Sequence, residues 1–173
     1  MNPAPPIFCN AGPLMALGKL NRLDLLAGLY PSVQIPEVVY NEVVVDGLAR
    51  GEADAAIARN FWRQQQWPVV SVHDAVLKAY QPLIALGGGE RAVLALAQVT
   101  PGALALLDDA LARREARRIQ VQSYGTLGTL LRAQQVGVLT RPQLVHLLQD
   151  IASRPDIWIS AALCQKIIAG LPA

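Results

Sequence analysis

Short apolar runs that alternate with longer stretches of helical periodicity constrain this chain more than any other feature. Ile7-Phe8-Cys9, Val33-Gln34-Ile35, Val69-Val70-Ser71-Val72, Leu104-Ala105-Leu106-Leu107 and Gln120 to Gln122 read as strands. After the first, Asn10-Ala11-Gly12-Pro13 makes a turn, and Leu14, Leu17, Leu20, Leu23 and Leu26 follow at helical spacing. Pro36 suits a first helical turn and opens a helix through Val38, Val39, Glu42 and Val43. A polar stretch from Asp46 to Glu52 leads into an amphipathic helix ending near Trp67-Pro68, and the segment before Gly87-Gly88-Gly89 is weakly defined. Glu90 opens an Ala/Leu helix to Gln98, Asp108-Asp109 begins another, and Gly125 to Gln135 forms a third. The remainder reads helical, with a break near Arg154-Pro155. This order predicts an α/β fold with a mostly parallel sheet covered on both faces. Ligands of such sheets gather where strands end at their carboxyl edge, and Asn10, Glu90 and Asp108 lie at or near those turns.

The 173 residues suit one domain, and 53% apolar with only 5% aromatic residues means a core of Leu, Val, Ile and Ala packed between layers. No apolar run approaches the roughly 20 residues that span a bilayer, and Met1 to Pro6 lacks the basic stretch and apolar core of a leader, so a cytoplasmic location is expected. Cys9 and Cys164 have no CxxC spacing and no neighbouring His, which argues against zinc or a disulfide framework and for two small buried residues. A formal net charge of +2 does not by itself indicate a nucleic-acid partner.

Glu42, Glu90, Asp108 and Asp109 occupy helix starts or interiors beside apolar positions, where an acid needs a partner. Hard oxygen ligands without a His or Cys cluster favour Mg²⁺ or Mn²⁺, which can activate water and stabilise charge on a phosphodiester. Each acid also has a plainer reading. Glu90 after three glycines and Asp108-Asp109 after a strand suit helix N-termini, where the macrodipole and free N–H groups favour carboxylates, and Glu42 suits a solvated helix face. Trp62 and Trp67 read as helix-packing residues, because only Arg63 supplies a nearby positive charge for base stacking.

In their order these segments resemble the PIN-domain proteins, within them the toxin-like (VapC-like) subgroup. The matching stretches run from Asn10 to Leu17 with Leu23 to Leu26, from Ile35 to Val43, from Gly89 to Ala97, Leu106-Leu107-Asp108-Asp109 with Ala112-Arg113, and Gly125-Thr126-Leu127-Gly128 with Leu130 to Ala133. Together they cover nearly the whole chain. The resemblance implies an α/β/α sandwich over residues 1–173, with 140–173 as a helical C-terminal extension. It further implies a Mg²⁺- or Mn²⁺-dependent single-strand ribonuclease, commonly the toxin of a prokaryotic toxin-antitoxin pair, with single-stranded RNA and an antitoxin protein as partners; a homodimer is expected only from the apolar helices named below. By position, Asn10, Glu42, Glu90 and Asp108 fall on the metal-binding positions and Asp109 on a neighbour that shares the catalytic role. Arg113 and Thr126 fall where RNA phosphate or water is held, and Arg117, one turn beyond Arg113, is placed beside them by helical spacing.

The departure from the family pattern is Asn10, where similar members place Asp. The amide removes one negative charge and adds an NH₂ group that cannot face a cation. Two further readings therefore stay open: a catalytically degenerate module that binds RNA or protein without cutting, and an oligomerising scaffold built on the apolar helices at Leu14 to Leu29 and Leu144 to Leu148. Arg113 with Arg117 and Arg114 with Arg118 lie one turn apart, suited either to guiding phosphate or to an ordinary solvated helix face.

Overall fold

The computed structural model describes residues 5–171, and the chain divides into two compact units, Met1–Thr126 and Leu127–Ala173. Residues 1–4, part of the stretch read above for a leader, and 172–173 lie outside the described residues.

The first unit holds the sheet. Strands β1 (Ile7–Cys9), β4 (Leu104–Leu106) and β5 (Gln122–Tyr124) pair in parallel in the order β1-β4-β5, and β2 (Ile35–Pro36) pairs in parallel with β3 (Val69–Val70). A parallel bridge between Phe8 and Gln34 joins the two groups, with Cys9 N donating to Gln34 O at 3.0 Å and Gln34 N to Ile7 O at 2.8 Å. The strands thus run β3-β2-β1-β4-β5. From β1 the chain builds outward to one side and then returns to build the other, so the connections diverge between β1 and β4 and leave a crevice at their carboxyl ends. Every residue of β1 and β4 is buried, as expected for parallel strands covered on both faces. Phe8, Val93, Leu94, Ala105 and Leu107 belong to one buried cluster in which α7 (Gly88–Val99) packs against the strands. The expected α/β sandwich with a parallel core is the fold observed.

Several boundaries differ from the sequence reading, each for a local reason. The leucine series from Leu14 to Leu26 is not one helix: α1 (Ala11–Lys19) stops where Asn21 adopts a left-handed φ of 53°, and α2 (Asp24–Leu29) resumes after it. Asn21 N and Arg22 N bond back to Gly18 O and Leu17 O, closing α1. Pro36 ends β2 and caps α3 (Glu37–Tyr40), rather than lying inside the first turn. That helix passes through a π-helical stretch, Asn41–Asp46, into α4 (Gly47–Ala49) and on to α5 (Ala53–Gln65). The weakly defined segment contains α6 (Asp74–Ala79). The last strand begins two residues late because Gln120, at φ 58°, and the bond from Val121 N to Ala116 O finish α8 (Ala110–Arg118) first.

Trp62 and Trp67 are buried and meet edge-on at 5.2 Å, the packing role expected of them, and both cysteines are free and buried. Leu14, Leu17, Leu25, Leu26, Leu144 and Leu148 are at most 1% exposed, which removes them as the oligomer interface of the scaffold reading.

The second unit is helical, with α9 (Thr126–Gln135) leading into it, then α10 (Arg141–Ser153) and α11 (Ala161–Gly170) packed on each other. Thr140 and Gln143 form a capping box at the start of α10, and Ser160 caps α11. No helix among the described residues is long and apolar enough to cross a membrane.

Candidate active site at the carboxyl edge of the sheet

Asn10 is the residue that follows β1, and its backbone N–H donates to Leu106 O at 3.0 Å, extending the pairing with β4 by one step. Its side chain therefore emerges inside the crevice. It is 5% exposed, and its Nδ2 donates to Glu90 Oε1 at 2.8 Å. The Oδ1 atom is buried against Gly89 and finds no donor among the described residues. A Cβ at Gly89 would collide with that oxygen and stand 3.2 Å from Val39 Cγ2, so only glycine lets the helix start come this close. Glu90 lies in the first turn of α7, as its plainer reading required, with Oε2 turned back over Gly87.

Asp108 follows β4 on the other side of the crevice and is half-buried. Both carboxylate oxygens accept from Thr126, Oδ1 from its backbone N–H and Oδ2 from its hydroxyl, each at 2.6 Å. Burial pushes the Asp108 carboxyl above its ordinary value, while the two Thr126 bonds and the Arg113 charge pull it down. Gly12 and Gly125 close round it: a Cβ on Gly12 would lie 3.0 Å from Asp108 Cβ, and one on Gly125 would lie 2.8 Å from Asp108 Oδ1.

The paired acids at the start of α8 take different work. Asp109 is exposed and caps the helix, its Oδ1 accepting from Ala112 N at 2.7 Å. This is the helix-terminal role of the plainer reading, and it engages one oxygen of the residue that position alone gave a catalytic share.

Glu42 is exposed, in the first turn of the π-helical stretch, a geometry frequent at functional sites. Its carboxyl is raised by desolvation and by the negative charge of Glu90, an effect that Arg50 opposes. With Glu37, Asp46 and Asp74 it lines an open cleft of about 780 Å³ that reaches Gly88 and Gly89. The expected acids are therefore strung along one edge: Glu42 within electrostatic reach of Glu90, Glu90 on Asn10, and Asp108 beyond. Among the described residues no three His, Cys, Asp or Glu side chains stand close enough to share an ion.

Two of the residues assigned to nucleic acid are engaged at Asp108. Thr126 is fully buried with its hydroxyl on Asp108, so it positions that carboxylate. Arg113 is half-buried and its Nη1 donates to Leu107 O at 3.0 Å and Asp108 O at 2.5 Å, tying down the end of β4. Arg114 and Arg117 are exposed. Sequence reasoning missed Gly12, Gly89 and Gly125 as site residues, although each stands next to a residue it did single out or inside a glycine run.

The family model DUF3368, described as a PIN domain, matches residues 6–171. This chain belongs to the PIN-domain family. It is a nuclease family whose members generally use divalent metal ions and bind RNA. No curated protein matches the chain.

Proposed function

We propose that this PIN domain is a slow, Mg²⁺- or Mn²⁺-dependent endoribonuclease of single-stranded RNA, working in the cytoplasm as the toxin of a toxin-antitoxin pair. One observation carries the nuclease reading: Asn10 with Glu90 and Asp108 with Thr126 stand on adjacent strand ends, on either side of the crevice where the connections diverge. The ligand atoms suit a hard cation in kind, since all are oxygens, and the buried Asn10 Oδ1, which lacks a donor, would have to turn from Gly89 to reach it. Glu90, Asp108 and Asn10 would hold the ion, with Glu42 beside them. When bound, it would stabilise charge building on the phosphodiester. Thr126 fixes the Asp108 carboxylate, Asp109 and Arg113 fix the backbone that carries it, and α7 presents Glu90 from its first turn. The match over residues 6–171 supports treating 1–173 as one PIN-like domain with 140–173 as its helical extension.

A metal-dependent nuclease requires that Mn²⁺ start, and a chelator stop, cleavage of an unstructured RNA. Because Asn10 supplies one charge fewer than a carboxylate, Asn10→Asp is expected to tighten Mn²⁺ binding in calorimetric titration and to speed cleavage about tenfold. Wild-type binding and cleavage equal to those of Asn10→Asp would show that the amide does not impair the site.

The Asn10–Glu90 bond itself favours a second reading, an RNA-binding module that does not cut. It predicts no cleavage with any metal but retained binding. In both readings the exposed Arg117 is a phosphate contact. Arg117→Ala is expected to weaken RNA binding and lower the log-log salt slope by about one unit. An unchanged slope returns this helix face to ordinary solvation. The antitoxin partner is tested by co-purification with a small DNA-binding protein encoded beside this chain, and a homodimer by light scattering.

A further inference from the structure

A buried carbonyl oxygen without a donor is uncommon enough to require a cause, and Asn10 Oδ1 is one. The cause lies at the other end of the amide. Reversing the group would set Oδ1 against Glu90 Oε1, two acceptors 2.8 Å apart with no proton between them, and would remove the Asn10 donor from that carboxylate oxygen. The amide is therefore fixed by Glu90, and the carbonyl is left against the bare Cα of Gly89. Glu42 adds a second negative charge within reach of Glu90, which lies in the first turn of α7. At this point the Asn10 NH₂ group supplies a positive dipole where converging acids otherwise call for a cation.

We propose that the Asn10 side-chain amide is the chain's own substitute for a structural cation: it holds the β1 end to α7 without metal, and a divalent ion binds only by breaking the Asn10–Glu90 bond and turning Oδ1 toward itself. This rests on the site assignment above but not on RNA cleavage. An aspartate at position 10 would reverse the balance. Its carboxylate would face Glu90 with no donor between them, so the metal-free form would carry an unrelieved like-charge contact that a divalent ion removes.

Thermal unfolding of the full chain, with a chelator and with millimolar Mg²⁺, tests this without any activity readout. For the wild type, Tm is expected to agree within about 1 °C between the two conditions. Asn10→Asp is expected to melt about 5 °C lower than wild type with the chelator and to recover at least half of that loss with Mg²⁺. Asn10→Ala, which lacks both the donor and the charge, is expected to melt below wild type equally in both conditions. In a ¹⁵N spectrum the Asn10 NH₂ pair is expected to stay unshifted at millimolar Mg²⁺. A wild-type Tm that rises by several degrees with Mg²⁺ overturns the proposal, as does Asn10→Asp or Asn10→Ala as stable as wild type with the chelator. Failure to cut RNA under any metal would sink the nuclease reading while leaving each of these results as it stands.

Discussion

Glu115→Ala is expected to lower the unfolding free energy by about 3 kcal/mol at neutral pH, because it removes the acceptor at the centre of a buried joint. Glu115 is 2% exposed on α8 and accepts from Arg118 Nη2 at 2.6 Å, Arg118 Nε at 2.9 Å, Leu83 N at 3.3 Å and the Tyr80 hydroxyl at 3.5 Å. The loop after α6 is thereby tied to α8, with Arg118 adding a bond to Gln81 O at 3.3 Å. Losing the carboxylate leaves the Leu83 N–H and the buried Tyr80 hydroxyl without it, and the cost is that of unmade bonds rather than of an exposed ion pair. The bonds from Arg118 hold the Glu115 carboxyl below its ordinary value against the opposing effect of burial, while burial and the Glu115 charge push the Tyr80 hydroxyl up to about 12. A lowered folded-state pKa contributes stability that is present above the unfolded value, roughly pH 4.3, and lost as pH falls through the folded one. Chemical denaturation across pH 3 to 7 should therefore show a constant gap between wild type and Glu115→Ala at the upper end, which starts to narrow as the pH falls below about 4.3. A constant gap over that range would show that the joint works by packing alone.

Thr126→Val is expected to slow RNA cleavage about 100-fold when measured in the Asn10→Asp background, where the rate is most readily followed. Valine keeps the shape but removes the hydroxyl that donates to Asp108 Oδ2, while the backbone N–H still holds Oδ1. One bond no longer fixes the carboxylate plane. Its remaining oxygen is left partly buried, which raises the Asp108 pKa further in the direction burial already drives it. Thr126→Ser retains the hydroxyl and is expected to restore most of the rate. Equal rates for Val and Ser would assign Thr126 to packing.

The layering of this protein was legible in the order of its residues. Apolar runs such as Ile7 to Cys9 and Leu104 to Leu107 are short, uninterrupted and bounded by turn residues, and a parallel strand buried on both faces needs little else. Placing Asn10, Glu90 and Asp108 at one edge followed from the same pattern, since each stands where a strand ends or a helix begins. Where elements stop was decided by bonds between neighbouring segments: Asn21 and Gln120 take left-handed backbone only because closing α1 and α8 satisfies carbonyls there. The division between Asp108 and Asp109 could not be read from two adjacent acids either. It depends on Thr126, 18 residues on, arriving beside one of them, while the free N–H groups of α8 claim the other. Likewise Glu115 has the charge pattern of an exposed helix residue paired with Arg118, yet it is buried, with Tyr80 and Leu83 bonded to it from the loop after α6. Asn10 shows the limit most directly. Its identity announced a missing charge, but whether the amide would turn its oxygen or its NH₂ toward Glu90 was set by tertiary contact, because an ionised carboxylate accepts hydrogen bonds and cannot donate one.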